Sequence, residues 1–202
     1  MTTTTPAARP SSSDDNAFKA ELVTLIPHLR AFARTLTGDP TAADDLAQEA
    51  MMKAWDARAS YQMGTNMKAW TFMILRNQFY SEKRRSWRQT QLDQEAAERT
   101  LIAVDDPEAP VALDELRQAL KSLPEEQREA LILVGAGGFA YEEAAEICQC
   151  AVGTVKSRVS RARKALQATL ERGGYARDGQ SAGDAMRSIL AYADRLSGAG
   201  RK

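Results

Sequence analysis

The stretch from Phe139 to Leu166 constrains the fold more than any other part of the chain. It reads FAYEEAAEICQCAVGTVKSRVSRARKAL: a short acidic helix, a tight break, then a longer basic helix. In the second helix Val152, Val155, Val159, Ala162 and Leu166 recur at three- and four-residue steps, which predicts one buried stripe. Lys156, Ser157, Arg158, Ser160, Arg161, Arg163 and Lys164 are left to the other faces. A helix with an apolar back and a cationic front, braced by a shorter helix, is the helix-turn-helix layout, whose second helix enters the major groove of DNA. The competing reading is a solvated basic helix of an ordinary bundle. It leaves the tight turn, the Gly153-Thr154 start and the one-sided charge without a reason.

With 27 basic and 27 acidic residues the formal net charge is zero, but the charges are segregated. Lys83, Arg84, Arg85 and Arg88 form a basic knot. Asp93, Glu95, Glu98, Asp105, Asp106 and Glu108 follow as an acidic stretch, and cations return from Lys156 to Lys164. A chain that meets a polyanion at two places, with an acidic connector between them, shows this pattern. The 202 residues suffice for one large or two small domains. No apolar run reaches the length of a membrane span. The Thr/Ser/Pro-rich start lacks the apolar core of a secretory signal and reads as a disordered tail over 1–16. Cys148 and Cys150 are too few for a zinc site with His28 far away in sequence, so they read as small buried apolar residues, and no metal or cofactor is expected.

Helical patterns dominate, so the expected fold is all-α. Ala17 to Thr37 carries Leu22, Leu25, Ile26, Leu29, Phe32, Ala33 and Leu36 at helical spacing, and Gly38-Asp39-Pro40 ends it. Thr41 is expected to cap a second helix running to about Ala57. A loop follows over Arg58 to Thr65, then Asn66 caps a core helix from Met67 to about Trp87. Gln89 to Pro110 is polar, acidic and proline-punctuated, which places a flexible linker over 89–111 between domains at 17–88 and 112–172. A weak helix is possible over Gln91–Ile102. In the second domain Ala112 to Ser122 and Gln127 to Val134 precede the helix-turn-helix, and Gly135 to Gly138 stop the latter. A C-terminal extension over 173–202 carries a possible amphipathic helix from Ala182 to Leu196.

Leu123-Pro124, Arg128-Glu129-Ala130, the run Tyr141 to Ile147 and the run Val152 to Arg158 resemble region 4 of bacterial sigma factors. Asp44-Asp45-Leu46-Ala47-Gln48-Glu49, Met67-Lys68-Ala69-Trp70, Leu75-Arg76-Asn77 and Lys83-Arg84-Arg85 resemble region 2, in the family's order and separation. Two sigma domains alone resemble the extracytoplasmic-function (ECF) class, and Ala130 to Phe139 with Glu143 to Cys148 resemble its EcfG-like general stress response type. One departure is Gln149 at the turn, where the family usually has Gly. If that position is left-handed, Gln costs about 1 kcal/mol relative to Gly.

The resemblance implies a sigma factor without enzymatic activity that directs core RNA polymerase to promoters. Asp45, Leu46, Gln48 and Glu49 would meet the polymerase. Tyr61, Asn77, Tyr80, Arg84, Arg85 and Arg88 supply the polar, aromatic and cationic groups that reading a melted −10 element needs. Packing is an equal reading of Tyr61 and Tyr80. Thr154, Lys156, Ser157, Arg158, Ser160, Arg161, Arg163 and Lys164 would meet the duplex −35 element. The expected partners are core polymerase, promoter DNA and a small anti-sigma protein of the NepR type. The chain is expected to be cytoplasmic, free of the membrane, and monomeric when free, with mobile domains. Two rivals remain. A dimeric helix-turn-helix regulator would not need the Asp44–Glu49 signature, and a sigma-like anti-anti-sigma regulator would also carry a phosphoreceiver domain.

Overall fold

Pro27 divides the first expected helix in two. It has no N–H to give and its ring crowds the preceding turn. The chain therefore forms Ser12–Thr24 (α1), turns at Leu25, and restarts as Ile26–Thr37 (α2) with the proline in the first turn. α1 begins inside the segment read as tail, and it buries Phe18 and Leu22. This computed structural model describes residues 12–92, 116 and 118–172. Most of the expected linker, the Gln91–Ile102 helix beyond Leu92 and the whole extension after Arg172 lie outside those residues.

The third helix, Pro40–Asp56 (α3), is capped by Asp39 rather than Thr41. The Asp39 carboxylate accepts the Ala42 N–H at 2.7 Å, one of the donors a helix start leaves unpaired. Its buried stripe is Ala43, Leu46, Ala47, Ala50 and Ala54. These small side chains let α3 lie close against α2 and the next helix. A 3-10 turn at Arg58–Ser60 leads to Asn66, whose side-chain oxygen accepts the Ala69 N–H at 2.9 Å. This caps Met67–Leu92 (α4) at the expected place. α4 continues to Leu92, past the expected end at Trp87.

In the second half, residues 118–121 are helical. Glu125–Gly135 (α5), Tyr141–Cys148 (α6) and Val152–Arg172 (α7) follow. The buried side of α7 is Val155, Val159, Ala162 and Leu166, with Val152 half-buried at its start, as the periodicity requires. Gly137 sits where a Cβ would come within 2.6 Å of the Leu133 carbonyl oxygen and 2.9 Å of the Phe139 ring. Only glycine fits there, and the chain folds back tightly enough for the Phe139 N–H to reach Leu133 O at 3.2 Å.

The two halves do not stand apart. α2 packs on α5 and α4 packs on α6. Phe72 stacks on Phe32 at 4.9 Å and meets the edge of Phe139 at 5.0 Å, so one ring joins both cores. The expectation of independently moving domains rested on linker composition, which carries no information about this contact.

α6 ends at Gln149 with φ 53° and ψ 47°, the left-handed conformation. The Cys150 N–H then reaches back to Ala145 O at 3.1 Å. This is the turn of the helix-turn-helix, and Gln149 is exposed within it. Gln149→Gly is expected to stabilise the protein by about 1 kcal/mol, raising the midpoint of thermal unfolding by roughly 2–4 °C for a chain of this size. Calorimetry that finds no rise would show that the turn is unstrained.

Candidate nucleic-acid and polymerase interfaces

α3 presents two faces. Alanines and Leu46 point inward, with Leu46 3 % exposed. Leu46 is therefore a core residue and does not share the surface of its expected companions. Asp45, Gln48 and Glu49 are exposed. Spacings of three and four residues bring Met52 into the same stripe, and Met52 is 66 % exposed. Sequence reasoning passed over Met52 because a methionine in an amphipathic helix reads as core. The register settles it: Met52 is out of phase with the alanine stripe. Asp44 has an internal use. Its hydrogen bonds to Arg30, one of them 2.7 Å long, hold its carboxyl below the ordinary range. Gln78, on α4, donates to Glu49 at 2.5 Å and braces the acidic face from behind.

α4 carries the expected −10 residues on unequal terms. Asn77, Arg84, Arg85 and Arg88 are exposed. Tyr61 is 8 % exposed and gives its hydroxyl proton to Thr65 O at 2.7 Å. Its ring lies 5.0 Å from Trp70 and 5.6 Å from Phe18. It holds the loop to the domain and offers no face to a base. Tyr80 is half-buried, and its hydroxyl lies 3.3 Å from a Glu129 carboxylate oxygen.

Glu129 is the residue that sequence reasoning missed. It lies on α5 among Ala130, Leu133 and Val134, and its side chain is fully buried. Arg76 of α4 donates to it at 2.6 Å and is itself only 13 % exposed. Burial pushes the Glu129 carboxyl upward, and Arg76 opposes that shift. Burial, the largest single influence, would lower Arg76, but the charge and hydrogen bond of Glu129, with smaller contributions from Cys148 and Tyr80, together outweigh it and the guanidinium pKa is raised. The available signal was a carboxylate at a core position of an amphipathic helix, which demands a cation.

Three more contacts run along the same face. Lys83 pairs with Glu125. Lys68 donates to Gly137 O at 2.7 Å and lies 5.0 Å from the centre of the Phe139 ring. Asn66 donates to Glu143 at 2.5 Å. Cys148, buried beside this contact, has its thiol pushed up to about 12 by burial, which makes it an inert core residue.

On α7 the exposed cationic face comprises Lys156, Ser160, Arg161 and Lys164, with Thr154 and Ser157 half-exposed beside it. Arg161 donates to Ser157 O at 3.2 Å and to its Oγ at 2.8 Å, so its guanidinium is held along the helix. Arg158 points elsewhere. It reaches Glu126 at 2.5 Å and Cys150 Sγ at 3.6 Å, on the flank that braces α5. Arg163 is half-buried. Among the described residues no group of His, Cys, Asp and Glu could hold a metal, and no helix is long and apolar enough to cross a membrane.

Two family models match the chain. Residues 22–89 match the family described as Sigma-70 region 2, and residues 113–166 match Sigma-70, region 4. The chain is 46 % identical over 155 residues to the ECF RNA polymerase sigma factor EcfG of Rhodopseudomonas palustris, covering 77 % of this chain and 86 % of that one. It is 35 % identical over 135 residues to the ECF RNA polymerase sigma-E factor of Escherichia coli K12, covering 60 % and 70 %. Among solved structures, the sigma factor RpoE of Bartonella quintana in complex with the anti-sigma factor NepR superposes with a TM-score of 0.69. That match is at 46 % identity and covers 77 % of this chain and 98 % of that one.

Removing one member of a buried ion pair leaves the other charge uncompensated, whereas removing both leaves only lost packing. Arg76→Ala and Glu129→Ala are each expected to destabilise the packed form by about 3 kcal/mol. The double variant should lose clearly less than the sum, with a coupling of about 1–3 kcal/mol. A thermal-denaturation cycle measures this, and simple additivity would show that the pair contributes nothing to holding the halves together.

Proposed function

The chain belongs to the extracytoplasmic-function sigma factors of RNA polymerase, EcfG-like in type, and from that premise we propose which of its surfaces do the work. A sigma factor binds core polymerase and directs it to promoters, and the chemistry of RNA synthesis stays with the polymerase. The observation that carries the reading is one chain with an exposed acidic stripe on α3, a cationic α4 and a helix-turn-helix with a cationic α7. A dimeric regulator has no use for the first of these. The cytoplasm, as the compartment of polymerase and promoter, is the place of action.

Asp45, Gln48, Glu49 and Met52 form the polymerase surface: a polar stripe that ends in one exposed apolar side chain, so that charge and apolar area are offered together. Asn77, Arg84, Arg85 and Arg88 meet the −10 element, with Tyr80 joining them once Glu129 withdraws. Lys156, Ser157, Ser160, Arg161 and Lys164, with Thr154 at the helix start, meet the −35 element. Arg158 and Arg163 support the helix from its flanks. Leu46 and Tyr61 belong to the framework.

Geometry demands a second conformation. Elements at −10 and −35 are separated by about 25 base pairs, about 85 Å of duplex at 3.4 Å per pair. A compact body of about 140 residues has a radius of gyration of roughly 14 Å and is about 40 Å across. The packed arrangement cannot span both elements, so the halves separate on the polymerase. A small anti-sigma protein, such as the NepR that accompanies the Bartonella RpoE, would act by holding the halves in an arrangement that polymerase cannot use. The monomer carries both readers, and stress-response promoters are the expected targets.

Asp45→Arg combined with Glu49→Arg is expected to abolish association with core polymerase while the unfolding midpoint barely moves, since both residues are exposed. Pull-down and calorimetry together test this. Unfolding of the variant, or normal polymerase binding, refutes the docking role.

Arg161→Ala is expected to weaken promoter use by about 1–3 kcal/mol, one to two decades, if its guanidinium reads a base in the major groove. Run-off transcription on promoters with intact and scrambled −35 elements checks it. An equal loss on both would make Arg161 a phosphate contact only.

A further inference from the structure

Three tryptophans occur in the chain, and the fold uses two of them. Trp55 and Trp70 lie against Phe18, at 6.1 Å each. Trp87 is 65 % exposed, on the part of α4 where Lys83 to Arg88 all face solvent. One exposed apolar side chain is ordinary on a protein surface. What sets Trp87 apart is its surroundings. Arg84 is one turn before it, Arg88 is next to it, and Arg85 lies between. A cationic surface around an aromatic face suits a polyanion that carries flat rings.

The register adds a second constraint. Tyr80, Lys83 and Trp87 lie at steps of three and four residues and share one side of α4. Glu129 holds the half-buried Tyr80, and Glu125 pairs with Lys83, which stays exposed. Trp87 is one turn further on and remains uncovered. Tyr80 and Trp87 are seven residues apart, about 10.5 Å along the axis, which matches about three stacked nucleotides at 3.4 Å each. Withdrawal of region 4 would then expose a continuous strip with an aromatic ring at each end and cations between.

We propose that Trp87 is a stacking platform for an unpaired base of promoter DNA at the edge of the opened −10 element, with Arg84 and Arg88 holding the backbone on either side. This rests on the sigma-factor reading above and adds to it a residue and a mode of contact. A flat indole face has no use for paired bases in an intact duplex, so its contribution belongs to the melted state. Trp87 thereby stabilises the open complex, not the first encounter with the promoter.

The test uses holoenzyme assembled from core polymerase and the full chain carrying Trp87→Ala, Trp87→Phe or Trp87→Leu. It measures the lifetime of open complexes on one promoter as duplex and as a pre-melted bubble. Trp87→Ala should shorten the lifetime about ten-fold or more on both templates, Trp87→Phe should retain most of it, and Trp87→Leu should resemble the alanine variant. Affinity for core polymerase should be unchanged in all three. Wild-type lifetimes for Trp87→Ala would overturn the proposal. A leucine variant as good as the phenylalanine one would also overturn it, because apolar packing against protein would then suffice. So would a loss of core-polymerase affinity matching the loss of lifetime, which would make Trp87 a protein contact. The Asp45→Arg, Glu49→Arg protein in the same assay separates the two levels. If it still forms open complexes, the polymerase-docking reading fails whatever Trp87 does. If it does not, and Trp87→Ala is normal, only the stacking role fails.

Discussion

The ion pair between Arg76 and Glu129 is the contact on which the arrangement of the molecule depends. Both groups leave water to make it, and each charge carries a desolvation penalty of several kcal/mol that mutual attraction only roughly offsets. An apolar pair at the same place would hold the halves at least as firmly. The difference appears when they part. Two apolar side chains exposed by separation would stay unfavourable, whereas Arg76 and Glu129 regain full hydration. A charged contact is therefore suited to an interface that opens, which is what the proposed function asks of this one. Phe72 and Phe139, beside the pair, supply the apolar part of the contact and orient it.

The zero net charge takes on a meaning in this geometry. Glu125 and Glu129 stand opposite Lys83 and Arg76, and Glu143 accepts from Asn66. The face of α4 that region 4 covers is thus occupied by carboxylates, the groups most like the phosphates of a nucleic-acid strand. DNA arriving at this face would replace them charge for charge, releasing counterions in its turn. The acidic residues of α5 and α6 thereby balance the surface of region 2 while the protein is alone. Within region 4, Arg158 is likewise paired with a carboxylate, that of Glu126.

The sequence showed the helical fold class, the helix-turn-helix and the inward stripe of α7, because each is written in local periodicity. It also singled out Gln149 as a departure at the turn, and the structure supplied the left-handed conformation that makes the departure costly. Pro27 was visible and should have divided the first helix. The pattern of Leu22, Leu25, Leu29 and Phe32 continued through it and masked the break, because a stripe survives a single-residue turn. The site was less legible. Exposure of Asp45, Gln48 and Glu49 followed from register, and the same register should have placed Leu46 inside and Met52 outside. Tyr61 and Tyr80 could not be assigned by sequence, because a tyrosine packs or binds according to neighbours that come from elsewhere in the chain. Glu129 belongs to a contact between residues 53 positions apart from Arg76, and no local pattern encodes such a pairing.

The two functional faces of region 2 differ in availability, and that difference orders events. The α3 stripe is exposed with the halves packed, whereas on α4 Tyr80 is half-buried against Glu129 and Lys83 is paired with Glu125. On the proposed assignment of surfaces, polymerase can make a first contact on α3 while region 4 still occupies α4, but that arrangement cannot go on to a productive complex, because promoter DNA cannot yet use the strip that region 4 holds. Once region 4 is drawn towards its own site, Arg76 and Glu129 hydrate and the strip opens next to polymerase already in place. A sigma factor built this way has little reason to engage promoters alone, since Arg76, Tyr80 and Lys83 are released from their carboxylate partners only when something else holds region 4 away. The same coupling gives an inhibitor its opportunity. A partner that bridges both halves adds its binding free energy to a state that is already closed, so it needs no deformation of the protein to act.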